Sequence, residues 1–296
     1  MKLVPAVVLL GFGSVGVGGW YKFSNLKPKT LRQYLEWQGL RLISDSESNY
    51  WAAVLDENKE VAKRLGISDS DIKGVKGWCQ KHIDSENYED LKDSASLLCV
   101  DNPRTVKARI IQLDGGTGKL ISNSESEKYK VAYVFRKHID GFHDLIGYKP
   151  AVGEDGKEVE ELDKAKEAFQ KWCEDSLKKS VDDTLVMNVR TLCTPKRFTT
   201  IKELIEQNGE KGSLLTETEN QSELKKKYKE IQNLASWKKD KSGASSENDL
   251  KTWCTENQNK NFHEDKVFSE IYPKFRFRCL KASEASPKQV SNSLLP

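Results

Sequence analysis

Residues 162–193 read LDKAKEAFQKWCEDSLKKSVDDTLVMNVRTLC. In the first half, apolar Leu162, Ala165, Phe169, Trp172, Cys173 and Leu177 recur every three or four positions, the period of one helical face. Val181, Leu185, Val189 and Leu192 repeat the pattern in the second half. Two helices joined by so short a polar break run antiparallel. Residues at comparable distance from the turn then face each other, which predicts a helical hairpin stapled by a Cys173–Cys193 bridge.

The same signature occurs three times. Trp78-Cys79 precedes Cys99, Trp172-Cys173 precedes Cys193, and Trp253-Cys254 precedes Cys279, at separations of 20, 20 and 25 residues. These are all six cysteines of the chain. Six cysteines permit fifteen pairings, and one bridge per repeat selects a single one: Cys79 with Cys99, Cys173 with Cys193, and Cys254 with Cys279. A loop of this length contributes about 3 kcal/mol on the loop-entropy model. That amount matters to a unit of some 80 residues, whose single core is marginal alone.

The openings of the repeats also align. Thr30-Leu-Arg-Gln-Tyr-Leu-Glu-Trp-Gln-Gly39 matches Thr200-Ile-Lys-Glu-Leu-Ile-Glu-Gln-Asn-Gly209, with a looser copy from Thr105 to Gly115. Thr30 with Gln33, and Thr200 with Glu203, read as capping boxes, and the glycines read as left-handed stops. Each opening leads to a short apolar step: Leu42-Ile43-Ser44, Leu120-Ile121-Ser122 and Leu214-Leu215-Thr216. A second helix is expected from Asn49 to Leu65, from Glu127 to Ile139 and from Glu223 to Trp237. Pro273 interrupts the closing run of the third copy, which predicts a shorter or kinked last helix there. The expected fold is all-α: three tandem disulfide-stapled helical bundles at 25–104, 105–199 and 200–282, followed by a flexible tail at 283–296.

The N-terminus, residues 1–24, differs in kind. Residues 3–21, LVPAVVLLGFGSVGVGGWY, carry no charge and are flanked by Lys2, Lys22, Lys27 and Lys29. At ~1.5 Å per residue this segment reaches roughly 28 Å as a helix, enough for a bilayer core. It reads as an uncleaved anchor rather than a removed signal peptide, because no Ala-x-Ala site is present. Gly11-Phe-Gly13-Ser-Val-Gly16 is a literal dinucleotide-binding pattern, but two more glycines and Pro28 follow where a helix and a second strand must stand.

Chemistry is sparse elsewhere. Cys79-x-x-His82 has metal-ligand spacing, yet the equivalent positions are Ser176 and Asn257, and His138, His143 and His263 fall at unrelated places. No nucleophile elbow, phosphate loop or calcium loop is present. No catalytic, cofactor or metal residue is therefore assigned, and a non-enzymatic role is expected. Net charge is +3 from 48 basic and 45 acidic residues spread along 296 positions, so no basic field points to nucleic acid. Lys225 to Lys227 read as a solvated helix face. Gly147 to Glu161 reads as an insertion peculiar to the second repeat, a solvated loop, and Asn220-Gln-Ser222 is a formal glycosylation sequon.

The apolar N-terminus, the Thr-(Leu/Ile)-(Lys/Arg) openings, the Leu-(Leu/Ile)-(Ser/Thr) steps and the Trp-Cys pairs resemble those of the large paralogous families of uncharacterised proteins in haemotropic mycoplasmas. The likeness covers most of residues 1–282, with three units where most members have one. It implies a surface protein held in the cell membrane through residues 3–21, with its body on the extracellular face and a host or surface protein as partner. Disulfides favour that orientation, although Lys22, Lys27, Lys29 and Arg32 after the anchor oppose it. The alternative is an exported enzyme or small-ligand-binding protein with a site between units.

Overall fold

The computed structural model describes residues 27–154, 158–241 and 245–281. The apolar segment 3–21 with its glycine pattern, and the tail 283–296, lie outside the described residues. Among the described residues, no helix is long and apolar enough to cross a membrane.

The described residues are mostly helical with almost no strand, and the six cysteines pair as Cys79–Cys99, Cys173–Cys193 and Cys254–Cys279. The first part contains α1 (Leu31–Trp37), α2 (Ser48–Glu57), α3 (Lys59–Arg64), α4 (Ile72–His82) and α5 (Lys92–Leu98). The second contains α6 (Val106–Asp114), α7 (Ser126–Arg136), α8 (Phe142–Ile146), a ribbon of β1 (Ala151–Val152) and β2 (Glu158–Val159), α9 (Leu162–Lys178) and α10 (Asp183–Leu192). The third contains α11 (Ile201–Gln207), α12 (Gln221–Ile231), α13 (Ala235–Asp240), α14 (Glu247–Gln258) and α15 (Tyr272–Cys279).

Buried apolar side chains fall into three main clusters, drawn from residues 31–100, 106–193 and 198–280, each containing one bridge. The separation is incomplete at both seams. Ala53 of α2 packs with Ala108 and Ile111 of α6 in a small cluster of its own. Val131 of α7 belongs to the third cluster, and Phe135 of α7 packs against both the second and the third.

Equivalent backbone bonds recur in the three parts. The residue after each opening threonine donates to the carbonyl six places past the first cysteine: Leu31 to Ser85 (3.0 Å), Val106 to Lys179 (3.0 Å) and Ile201 to Lys260 (3.2 Å). The second residue of each apolar step donates to the closing cysteine: Ile43 to Cys99 (3.1 Å), Ile121 to Cys193 (2.8 Å) and Leu215 to Cys279 (2.8 Å). A further bond, Asp101 to Arg41 and Lys281 to Ser213, has no counterpart in the second part. The donor there would be Pro195, which has no N–H.

Local chemistry explains where helices start and stop. Thr200 and Glu203 form the full capping box. Thr30 caps Gln33, but the Gln33 side chain accepts from Lys29 N instead of the cap residue. The second helices are shorter than their periodicity predicts. In the first part Asn58, nearly buried, turns its Nδ2 onto the carbonyls of Val54 (2.9 Å) and Leu97 (3.0 Å), and the helix breaks there into α2 and α3. In the third part Leu234 is extended and α13 starts afresh, burying Trp237.

Pro273 does not kink a helix. It lies in the first turn of α15, where the missing N–H would have no helical partner anyway. A five-residue π turn, Val267–Ile271, precedes it and equals in length the five residues by which this cysteine separation exceeds the other two.

Gly39 and Gly209 are left-handed, with φ of 75° and 74°, and a Cβ at either would meet nothing within 4 Å. The cost of Gly209→Ala is therefore conformational, about 1 kcal/mol. Urea denaturation of the variant is expected to show that loss with an unchanged m-value, and equal stability would refute it.

Candidate functional site

The bridges are interior features. Cα separations are 5.6, 5.9 and 5.7 Å, and none of the six cysteines is more than 4% exposed. α9 shows why: the apolar period read from Leu162 to Leu177 buries Ala165, Phe169, Trp172 and Cys173 on one face. Asp182 accepts from Leu185 N (2.7 Å) and starts α10 in the return direction. Trp172 and Trp253 are buried in the same clusters as their bridges. Trp78 is only half-buried, its ring 5.1 Å from His82.

The histidines are dispersed. His138 stacks on Phe268, His143 on Tyr133, and His263 lies 3.9 Å from Glu127. Cys79 has its sulfur in a bridge, while Ser176 and Asn257 at the matching positions are buried, the latter bonded to Trp253 O (2.7 Å). Among the described residues no three His, Cys, Asp or Glu are grouped to hold a metal. The sequon asparagine, Asn220, is 1% exposed and donates to the carbonyls of Gly212 and Leu214, so it is not presented to a transferase.

Two polar clusters lie outside the cysteine pattern, and periodicity does not announce either. In the second part the insertion forms a β-ribbon rather than an irregular loop, with Ala151 opposite Val159 and Val152 opposite Glu158. It is tied down at its base. Tyr133 and His143 Nε2 share a hydrogen bond (3.0 Å), Lys137 pairs with Glu160 (2.5 Å), and Glu161 N donates to the Tyr148 hydroxyl (3.0 Å). Burial, and then the hydrogen bond to Glu160, push the Tyr133 hydroxyl well above its usual range, so it stays protonated.

These groups fix the ribbon in place. Val152 and Val159 occupy successive register positions and so point to opposite faces, yet both are exposed, at 72% and 48%. The ribbon therefore projects from the bundle with both faces in solvent. Ile139 and Leu145, from the same part of the chain, are also exposed.

The third part has a packed cluster instead. Arg278 is 1% exposed and lies between the rings of Trp237 (5.4 Å) and Trp253 (4.8 Å), with Nη1 on Asp240 (2.6 Å). Lys274 reaches the same carboxylate at 3.1 Å. The position before the closing cysteine is Leu98 or Leu192 in the other parts. The guanidinium is thus a core element joining α13, α14 and α15, closed off from substrate.

Compared with family models, with curated proteins and with solved structures, this chain has no match.

Proposed function

We propose that this chain is a membrane-anchored surface protein of threefold repeated helical units, related to the paralogous families of haemotropic mycoplasmas, whose role is contact or antigenic display rather than catalysis. The three interior bridges carry this reading, because disulfides form and persist in oxidising compartments. Recurrence of the same backbone bonds around each bridge supports the repeat. The uncharged stretch at 3–21 supplies the anchor. The projecting ribbon of the second unit, held at its base and apolar at Val152 and Val159, is the favoured contact surface.

Thiol labelling of denatured cells, together with external protease on intact ones, tests this placement. A membrane-impermeant maleimide should label none of the cysteines in cells denatured without reductant and all six after denaturation with reductant. External protease should remove the body of the chain. Six free thiols, protected inside the cell, would exclude a surface location.

A further inference from the structure

The two seams between neighbouring cores are built differently. Across the first, Ala53, Ala108 and Ile111 are buried together with Ala52 at their edge, a cluster separate from the cores on either side. Polar ties surround it: Lys107 pairs with Asp56 (2.7 Å), both partly exposed, and Asn49 Nδ2 donates to the Gln112 carbonyl (3.3 Å). Across the second seam, the Phe135 ring meets those of Phe198 (4.9 Å), Phe262 (4.8 Å) and Phe268 (4.9 Å) edge to face. Val131, on the same helix, is 1% exposed within the third cluster. Aromatic rings bury far more apolar area than alanines do. The second and third cores are therefore one continuous packing, whereas the first meets the second through small side chains and a polar margin.

The chain joining the first two parts has a single slack point. Asp101 N donates to Arg41 O in the first part (2.8 Å), and Val181 N of the second part donates to Arg104 O (3.0 Å). Asn102 and Pro103 stand between these ties. Asn102 N bonds back to Val100 O (3.1 Å), and proline has no N–H to give. Arg104 then reaches across: its backbone N–H donates to the Glu57 carboxylate (3.2 Å) and its Nη2 to Asn58 Oδ1 (2.5 Å), both in the first part.

We propose that the first part is a movable body, hinged at Asn102 and Pro103 and latched by Arg104 on Glu57 and by Lys107 on Asp56, while the second and third parts move as one. Bodies joined through a small, polar interface move relative to each other, and those joined through a large apolar one do not. The latch depends on partly exposed ion pairs, which contribute little each and are screened by salt. In the anchored reading the first part stands nearest the membrane, so the joint lets the ribbon-bearing body tilt against it. That consequence rests on the anchor; the joint does not.

Distances between spin labels on the full chain in nonionic detergent test the joint. Labels carried by genetically encoded azides at exposed Lys63, Met187 and Lys239 leave the six cysteines untouched. Raising the salt from about 0.01 M to about 1 M shortens the Debye length from about 30 Å to about 3 Å. The 63–187 pair should then gain a second, longer distance, and the 187–239 pair should keep one distance throughout. Asp56→Asn combined with Lys107→Gln should show the longer 63–187 distance already at low salt. An unchanged 63–187 distance in wild type and variant would overturn the joint, as would the two distances lengthening together. A variant indistinguishable from wild type at low salt would overturn the latch.

Discussion

Asp240→Ala is expected to destabilise the chain by about 3–5 kcal/mol, the cost of leaving a buried cation without its counter-charge. Arg278 has almost no exposed surface, and Asp240 is its carboxylate partner. The aromatic faces of Trp237 and Trp253 attract the guanidinium, but they do not neutralise it. Asp240→Ala combined with Arg278→Leu, which copies Leu98 and Leu192, should recover much of the loss, because both charges then leave the core. Urea denaturation of the four members of this cycle is the measurement. Additive losses would show that the pair is not coupled.

The pair also carries a pH signature. Burial pushes the Asp240 carboxyl up, but hydrogen bonds from Arg278 and Lys274 outweigh it and hold the group below its ordinary value. A carboxyl depressed in the folded state contributes stability above its unfolded pKa of about 3.9. That contribution disappears as pH falls through the lower folded value. Wild type should therefore lose more stability than the double variant as pH falls below about 4.

Removing the middle bridge with Cys173→Ala and Cys193→Ala together is expected to cost about 3 kcal/mol, from the freedom returned to the unfolded loop. Breaking all three takes away a sum comparable with the whole stability of a small domain, about 5–15 kcal/mol. The reduced chain should not refold cooperatively at neutral pH. Because each cysteine is nearly inaccessible, a mild reductant should act only as fast as the chain opens. Thermal melts with and without reductant, with thiols counted by mass, test both statements. A reduced chain melting within a few degrees of the oxidised one would remove the bridges from any structural role.

How far the sequence could be read depended on the range of the forces involved. The α9 face from Leu162 to Leu177 was legible because helical period and burial are the same statement there. Gly209 and the Thr200 box were legible because capping is decided within four residues. The break at Asn58 was not, since the acceptor that draws its side chain, Leu97 O, lies 39 residues away. The insertion after Gly147 looked like solvent-exposed chain, because Lys137, which holds Glu160 at its base, belongs to another element. The burial of Arg278 was not legible either, because its partners Asp240, Trp237 and Trp253 lie on other helices.

The sequence alone determined the helical class, the cysteine pairing and the Thr200 cap, consequences of helical period, of the spacing of the Trp-Cys pairs and of contacts within four residues. Tertiary structure alone decided which charges are buried, that α7 shares its face between two cores, and that the ribbon stands out into solvent. The physical reason is that burial belongs to the packed surroundings of a residue, and those are assembled from distant parts of the chain.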